Sequence, residues 1–230
     1  MTGPAPADGL MLAMDTATRA CLVALGRPDP VAISRRDVHH RHGAYLLEQV
    51  EEALERAGAT LDDLTALVVG TGPGSFTGLR VGLATAKTIA YALRLPIIAV
   101  ASTDALRRAA VEGASAAPDA AVVLPAGAHD HYLARVGQAA VLIPPGRLRQ
   151  ELGLHPAIGV DVGPDLLGVD AARLGEAAVA GLPRALLALA LERRASGQLD
   201  DVATLVPAYV ALPRGLSHSA EELGWSPDLR

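Results

Sequence analysis

Gly70-Thr71-Gly72-Pro73-Gly74-Ser75-Phe76-Thr77-Gly78-Leu79-Arg80-Val81-Gly82 decides how this 230-residue chain folds. The run just before it, Leu64 to Val69, is short, apolar and rich in Val and Leu, the composition of a buried strand. Gly72-Pro73-Gly74 forces a turn, because proline removes a backbone donor and glycine permits positive φ. Ser75 or Thr77 can then cap a helix running to about Arg94. A strand, a glycine-rich turn and a helix N-terminus aim backbone N–H groups at one point, which is what holding a phosphate requires. The stretch has no Walker A Gly-Lys-Ser/Thr, and it is not a G-x-G-x-x-G fingerprint at the first strand. The alternative is a tight strand-to-helix turn with no ligand.

Within that helix Gly78, Gly82, Ala86 and Ala90 recur every fourth residue and so line one face. Each interior glycine costs about 1 kcal/mol of helix propensity relative to alanine. Such a stripe implies close packing on the helix backbone, either by the chain's own sheet or by a partner's helix.

Working outward, Leu10 to Met14 and Cys21 to Leu25 read as strands of a hairpin. Its tip, Asp15-Thr16-Ala17-Thr18-Arg19, carries one carboxylate and two hydroxyls. These serve either as local turn chemistry or as groups facing a phosphate. A candidate nucleotide or phosphate cleft therefore comprises Asp15, Thr16, Thr18, Gly72, Gly74 and Ser75. Val31 to Ser34 is a third strand. His39, His40 and His42 cluster after it, without cysteine or a secure i, i+4 ligand spacing, so a polar helix entry is expected rather than a metal. Tyr45 to Ala57 is an amphipathic helix with Leu46, Val50, Ala53, Leu54 and Ala57 on one face, stopped by Gly58. Thr60-Leu61-Asp62-Asp63 reads as a short capped turn.

Beyond the central helix, Leu95-Pro96 leads to a strand at Ile97 to Val100, and Thr103 caps a helix from Asp104 to Val111. The order β-β-β-α-β-α-β indicates a mixed sheet covered by helices. Gly113 to Asp119 is a small-residue linker and marks a domain boundary. Ala121 to Leu124, His131 to Val136 and Ala139 to Ile143 read as strands of a second sheet. His129 and His131 are commoner as surface strand residues than as ligands. Ala157 to Val160 leads into Asp161-Val162-Gly163, a weak echo of a phosphate-binding turn. Asp170 to Arg194 holds one or two helices broken at Pro183. Pro207-Ala208-Tyr209-Val210 lies in a terminal extended piece, and the stretch from Leu216, with Trp225, reads as a mobile tail.

Composition narrows the function. Half the residues are hydrophobic, a fifth are charged, the net charge is −5 and aromatics make up 3%. A chain that gripped RNA alone would need a basic face and stacking aromatics, and neither is prominent. Cys21 is the single cysteine, which leaves no disulfide framework or cysteine zinc site. The start lacks a signal peptide's basic and apolar regions, and no apolar run reaches bilayer-spanning length. A cytoplasmic protein without membrane contact is the expectation. No Ser/His/Asp arrangement or H-E-x-x-H appears, so no catalytic residue and no metal ligand is assigned.

Leu12-Ala13-Met14-Asp15-Thr16-Ala17-Thr18, His42 with its leucine-rich helix, the run from Val69 to Lys87 and Pro207-Ala208-Tyr209-Val210 resemble the bacterial TsaB family, also called YeaZ and formerly filed with glycoprotease-like proteins. The resemblance is dense from Leu10 to Leu106 and thin afterwards. It implies an α/β, two-domain actin/Hsp70/sugar-kinase-like (ribonuclease H-like) fold. The first actin-like domain would span 10–112 and a second, smaller and more divergent one 113–212, with a disordered lead at 1–9 and a mobile tail at 213–230.

The resemblance also implies a non-catalytic scaffold of a TsaD-like transferase, working with a TsaE-like ATPase to form threonylcarbamoyladenosine in tRNA. Such a chain binds no cofactor alone. ATP and a metal ion belong to the partners, tRNA is met only through the complex, and the chain forms a weak homodimer when alone. The H-x-x-x-H metal motif of TsaD would fall on Ser102 and Leu106, which cannot replace it. The Asp-Ala-Arg segment common in TsaB is replaced by Pro125-Ala126-Gly127 ahead of Tyr132. The family's partner contact would involve the first domain's helices, here Leu46, Val50, Gly78, Arg80, Gly82, Ala86, Lys87 and Ala90. The rival readings are a small-molecule kinase or ATPase of the same fold, and a metalloprotease.

Overall fold

A computed structural model describes residues 9–27, 29–37 and 42–210, with 42–44 as backbone only. The expectations for the lead, for His39 and His40, and for the tail with Trp225 lie outside the described residues.

The first three strands are β1 (Leu10–Asp15), β2 (Ala20–Gly26) and β3 (Pro30–Asp37). They form an antiparallel meander. α1 (His42–Ala57) follows, then a 3-10 turn at Leu61–Asp63. In that turn the Asp63 carboxylate accepts from the Thr60 N–H and hydroxyl, 2.8 Å each, as the capped-turn reading requires. β4 (Leu64–Gly70), α2 (Phe76–Leu93) and β5 (Ile97–Val100) complete a five-stranded sheet of order β3-β2-β1-β4-β5. β4 is parallel to both β1 and β5. The strands of this sheet's centre are buried on both faces, which is why Leu10–Asp15 and Leu64–Gly70 read as apolar runs rather than alternating ones.

α3 (Ser102–Ala114) leads to the second sheet, built from β6 (Ala121–Ala126), β7 (Asp130–Ala134) and β8 (Val141–Ile143). α4 (Leu148–Leu152), β9 (Ala157–Gly159), α5 (Pro164–Leu167) and α6 (Val169–Ala195) follow. Its order is β8-β7-β6-β9, again an antiparallel meander with the fourth strand parallel to the first. The second sheet therefore repeats the first in shortened form, which is the doubled architecture of the actin-like class. Three apolar clusters define the layers. α1 and α2 cover one face of the first sheet. α3 and α6 lie between the two sheets. α4 and the residues around α5 cover the far face of the second.

Several boundaries differ from the sequence expectations. α3 begins at Ser102 with Ala101 at its cap, so Thr103 is a buried residue of the first turn and not the cap. That helix also runs through Gly113, into the expected linker. The third strand of the second sheet starts at Val141, two residues late. α6 is one helix of 27 residues, continuous through Pro183. An interior proline costs about 3 kcal/mol; burying Val179, Leu182, Pro183, Leu186 and Leu187 between the sheets offsets it. By length and apolarity α6 could cross a membrane, contrary to the expectation of no such run, but half of its apolar stretch is spent on this core. α6 and Val202 and Leu205 after it, in the second part of the chain, also pack against the first sheet.

Arg107 fixes α3 to the second sheet. It is buried on α3, and its guanidinium donates to Ala120 O at 3.0 Å, to Ala134 O at 3.2 Å and to Asp104 at 2.8 Å. Two of those acceptors are main-chain carbonyls flanking the second sheet, so the charge is spread over a rigid frame.

Candidate functional site

The glycine-rich turn and the hairpin tip come together, as the candidate cleft requires. Asp15 stands at the end of β1 and faces α3. One carboxylate oxygen accepts from Ala17 N at 2.9 Å, and the other from Ser102 Oγ at 2.5 Å. Ser102 Oγ in turn accepts from Gly72 N at 3.0 Å, and Ser102 N donates to Gly72 O at 3.0 Å. Gly70 must be glycine here, because a Cβ would overlap the Asp15 carboxylate. Gly72 itself sits at φ +93°, a conformation glycine adopts without strain.

The turn is closed against the hairpin rather than open as a cradle. Ser75 N donates to Ala17 O at 2.8 Å, and a Cβ on Gly74 would overlap that same carbonyl. Thr16 Oγ1 donates to Gly78 O at 2.7 Å. Thr18 Oγ1 bonds locally, accepting from Ala20 N at 3.2 Å. Asp15, Thr16, Thr18, Gly72 and Gly74 are all buried, and Ser75 is half-buried. Ser75 is the helix cap, accepting from Gly78 N at 3.1 Å. The Asp15 carboxylate, the Thr16 and Thr18 hydroxyls and the Gly72 and Ser75 N–H groups are each bonded within the chain. The tip is also tied to the second sheet's side, since Arg19 N donates to Asp161 Oδ2 at 2.7 Å. Asp161, in the weak phosphate-turn echo, is therefore a bracket between the sheets.

The small-residue stripe is internal. Gly78, Gly82, Ala86 and Ala90 are buried, and a Cβ on Gly82 would overlap Thr16 Oγ1. Leu46 and Val50 are on the buried face of α1, packed in the first sheet's apolar cluster. The expectation that these six form a partner surface is corrected: the close approach the stripe demands is made by the chain's own hairpin and sheet. Arg80 and Lys87, in contrast, are on the outside of α2. Both are engaged by the segment after α6, a relationship the sequence did not reveal.

Among the described residues no group of three His, Cys, Asp or Glu converges. Ser102 is committed to Asp15 and Leu106 is buried in the apolar core. His131 is half-buried on β7, and burial pulls its imidazole below the usual range, against the opposing pull of Asp130. Cys21 is buried on β2. Burial, with the Asp15 carboxylate adding to it, pushes its thiol up to about 12, which disfavours the thiolate.

The doubled sheets with helices in three layers define a protein of the actin-like class whose hairpin–loop site is closed on itself. Comparisons with known proteins narrow this. A family model described as TsaD, tRNA N6-adenosine threonylcarbamoyltransferase, matches residues 33–143. An uncharacterized protein of Mycobacterium tuberculosis is 35% identical over 218 residues, covering 88% of this chain and 92% of that protein. The tRNA threonylcarbamoyladenosine biosynthesis protein TsaB of Escherichia coli is 40% identical over 92 residues, 40% of each chain. In structure, YeaZ from Pseudomonas aeruginosa superposes with a TM-score of 0.67 at 24% identity, over 87% of this chain and 99% of that one. The chain belongs to the TsaB (YeaZ) family.

Proposed function

We propose that this chain is a non-catalytic subunit in the formation of threonylcarbamoyladenosine in tRNA. It docks on a TsaD-like transferase, which works with a TsaE-like ATPase, and tRNA is met through the assembly. The observation that carries the reading is the closure of the hairpin–loop site. Asp15, Ser102 and Gly72 satisfy one another, and Thr16 fills the groove beside Gly78 and Gly82. A kinase or ATPase of this fold would need that space for phosphates. Burial at Ser102 and Leu106 runs against a metalloprotease.

The partner surface we assign is the outer face of α2. Thr77, Val81, Ala84 and Thr88 follow a 4-3-4 spacing along it and are exposed or half-buried. The four ridge residues are uncharged, Arg80 and Lys87 flank them, and Leu47 on the neighbouring α1 is exposed. An uncharged ridge of small side chains on a helix lets a second helix approach closely. Alone, the chain would pair weakly with itself through the same ridge.

The test is reconstitution. TsaD-like and TsaE-like proteins of the same organism, threonylcarbamoyl-AMP, ATP and tRNA are assayed for modified adenosine with and without this chain. The reading expects modification to require the chain. Full modification without it would refute the reading.

A further inference from the structure

α2 carries only two charged side chains, Arg80 and Lys87, and both are held by the segment that follows α6. After α6 the chain turns back along the first sheet. Asp200 N donates to Ile97 O at 3.1 Å, and the Asp200 carboxylate accepts from Ala99 N at 2.7 Å and from Arg193 at 3.3 Å. This anchors the segment to the open edge of β5, which would otherwise expose unpaired main-chain groups. Val202 and Leu205 then pack on the apolar cluster beneath α2. Lys87 Nζ donates to Ala203 O at 3.2 Å and to Leu205 O at 3.0 Å.

At the other end Ala208 N donates to Thr71 O at 2.9 Å, inside the glycine-rich turn. Arg80 lies flat over Phe76, 3.8 Å from its centroid, and donates through Nε to Tyr209 Oη at 3.0 Å. The Phe76 and Tyr209 rings are 5.4 Å apart. The segment therefore runs antiparallel to α2 from Lys87 back to Phe76 and grips it at both of those places.

We propose that residues 199–209 are a clasp that prepares α2 for its partner. The clasp ties both cations of the helix to one side and pins the outer wall of the Gly70–Ser75 turn, so that the ridge of Thr77, Val81, Ala84 and Thr88 is presented uncharged and rigid. This rests on the partner reading above. A long cationic side chain left loose beside an apolar contact would have to be desolvated or displaced on docking. The Lys87 carbonyl bonds and the Arg80 aromatic stack remove that cost beforehand.

Tyr209→Ala and Tyr209→Phe test it, with two readouts. Amide hydrogen exchange in the isolated chain reports the turn and the start of α2, and sedimentation with the TsaD-like protein reports affinity. The clasp predicts at least tenfold faster exchange over residues 71–79 and at least tenfold weaker binding in Tyr209→Ala. Tyr209→Phe, which keeps the stack and loses the hydroxyl, falls between. Binding by Tyr209→Ala as tight as the unaltered chain overturns the clasp alone, whatever the exchange shows. An unaltered chain that does not bind the partner at all overturns the partner reading and the clasp with it.

Discussion

Thr16 Oγ1 donates to the carbonyl of Gly78 across 2.7 Å, joining the hairpin tip to the first turn of α2. The same hydroxyl fills the space that a side chain at position 82 would occupy. Helix backbone and hairpin are thus in direct contact, and the two glycines are where that contact happens. Gly82→Ala gains about 1 kcal/mol of helix propensity and meets overpacking of roughly 1–3 kcal/mol. Because Thr16 is fixed by its bond to Gly78, the overpacking wins, and the variant is less stable in urea denaturation. Gly82→Leu does not fold as an isolated chain. Adding Thr16→Ala to Gly82→Ala relieves the clash, so the two changes are non-additive in a double-mutant cycle. Additive losses would show that the contact is absent.

Asp15 is a structural carboxylate in this account. Asp15→Ala leaves Ser102 Oγ and Ala17 N without their carboxylate acceptor in a buried place. The expected loss is on the order of 1–3 kcal/mol per unsatisfied group, read as a lower midpoint in denaturant. Once assembled with its partners, the variant supports tRNA modification at the normal rate. Asp15→Ala that assembles but is inactive would assign the site a chemical role.

Cys21 gives a pH prediction at the alkaline end. Its thiol is raised to about 12 in the fold by burial, whereas an unfolded cysteine titrates near 8.5. A raised folded value contributes stability below the unfolded pKa, and that contribution declines as pH rises from there toward the folded value. At pH 8 the native chain resists thiol reagents, and labelling follows unfolding. Cys21→Ala flattens the loss of stability above about pH 8.5. Rapid native labelling would contradict the burial.

His131 and Glu52 work at the acid end. Burial lowers His131, and the Ser34 hydroxyl, with the Arg36 guanidinium behind it, lowers Glu52. In both cases the unfolded chain binds the proton more tightly, so stability is present above the unfolded pKa and is lost as pH falls through the folded one. His131 acts below about pH 6.5, and Glu52 below about pH 4.3. Thermal scans expect His131→Gln to flatten the first fall and Glu52→Gln the second. Unchanged pH profiles in both variants would contradict the assignments.

The first half of the fold was legible because its signals are local. The Leu64 strand, the Gly72-Pro73-Gly74 turn, the Ser75 cap and the helix ending near Arg94 all follow from neighbouring residues, and the structure places them at β4, the turn and α2. The convergence of Asp15, Thr16 and Thr18 on that turn was legible for the same reason. What they converge on was not, since a carboxylate facing N–H groups looks the same in sequence whether a phosphate or Ser102 stands between them. The glycine stripe showed that something packs closely but not whether it was internal. Pro183 misled because propensity is a local cost and α6 is held by tertiary burial. That the segment at 199–209 docks on α2 was invisible, because Lys87 and Leu205 are 118 residues apart and the pair leaves no periodic trace.

Ala84 stands at the centre of the exposed ridge of α2, away from the core and from Thr16. Placing a charge there leaves the fold intact and sets an unpaired ion into the proposed contact, where truncating or mispairing a buried charge costs about 2–5 kcal/mol. The decisive measurement is the rate of adenosine modification in the reconstituted system with Ala84→Arg beside Asp15→Ala, each shown by its melting curve to be folded. The account predicts that Ala84→Arg abolishes partner binding and modification while Asp15→Ala retains both. Full activity in Ala84→Arg together with a dead but assembled Asp15→Ala would contradict it.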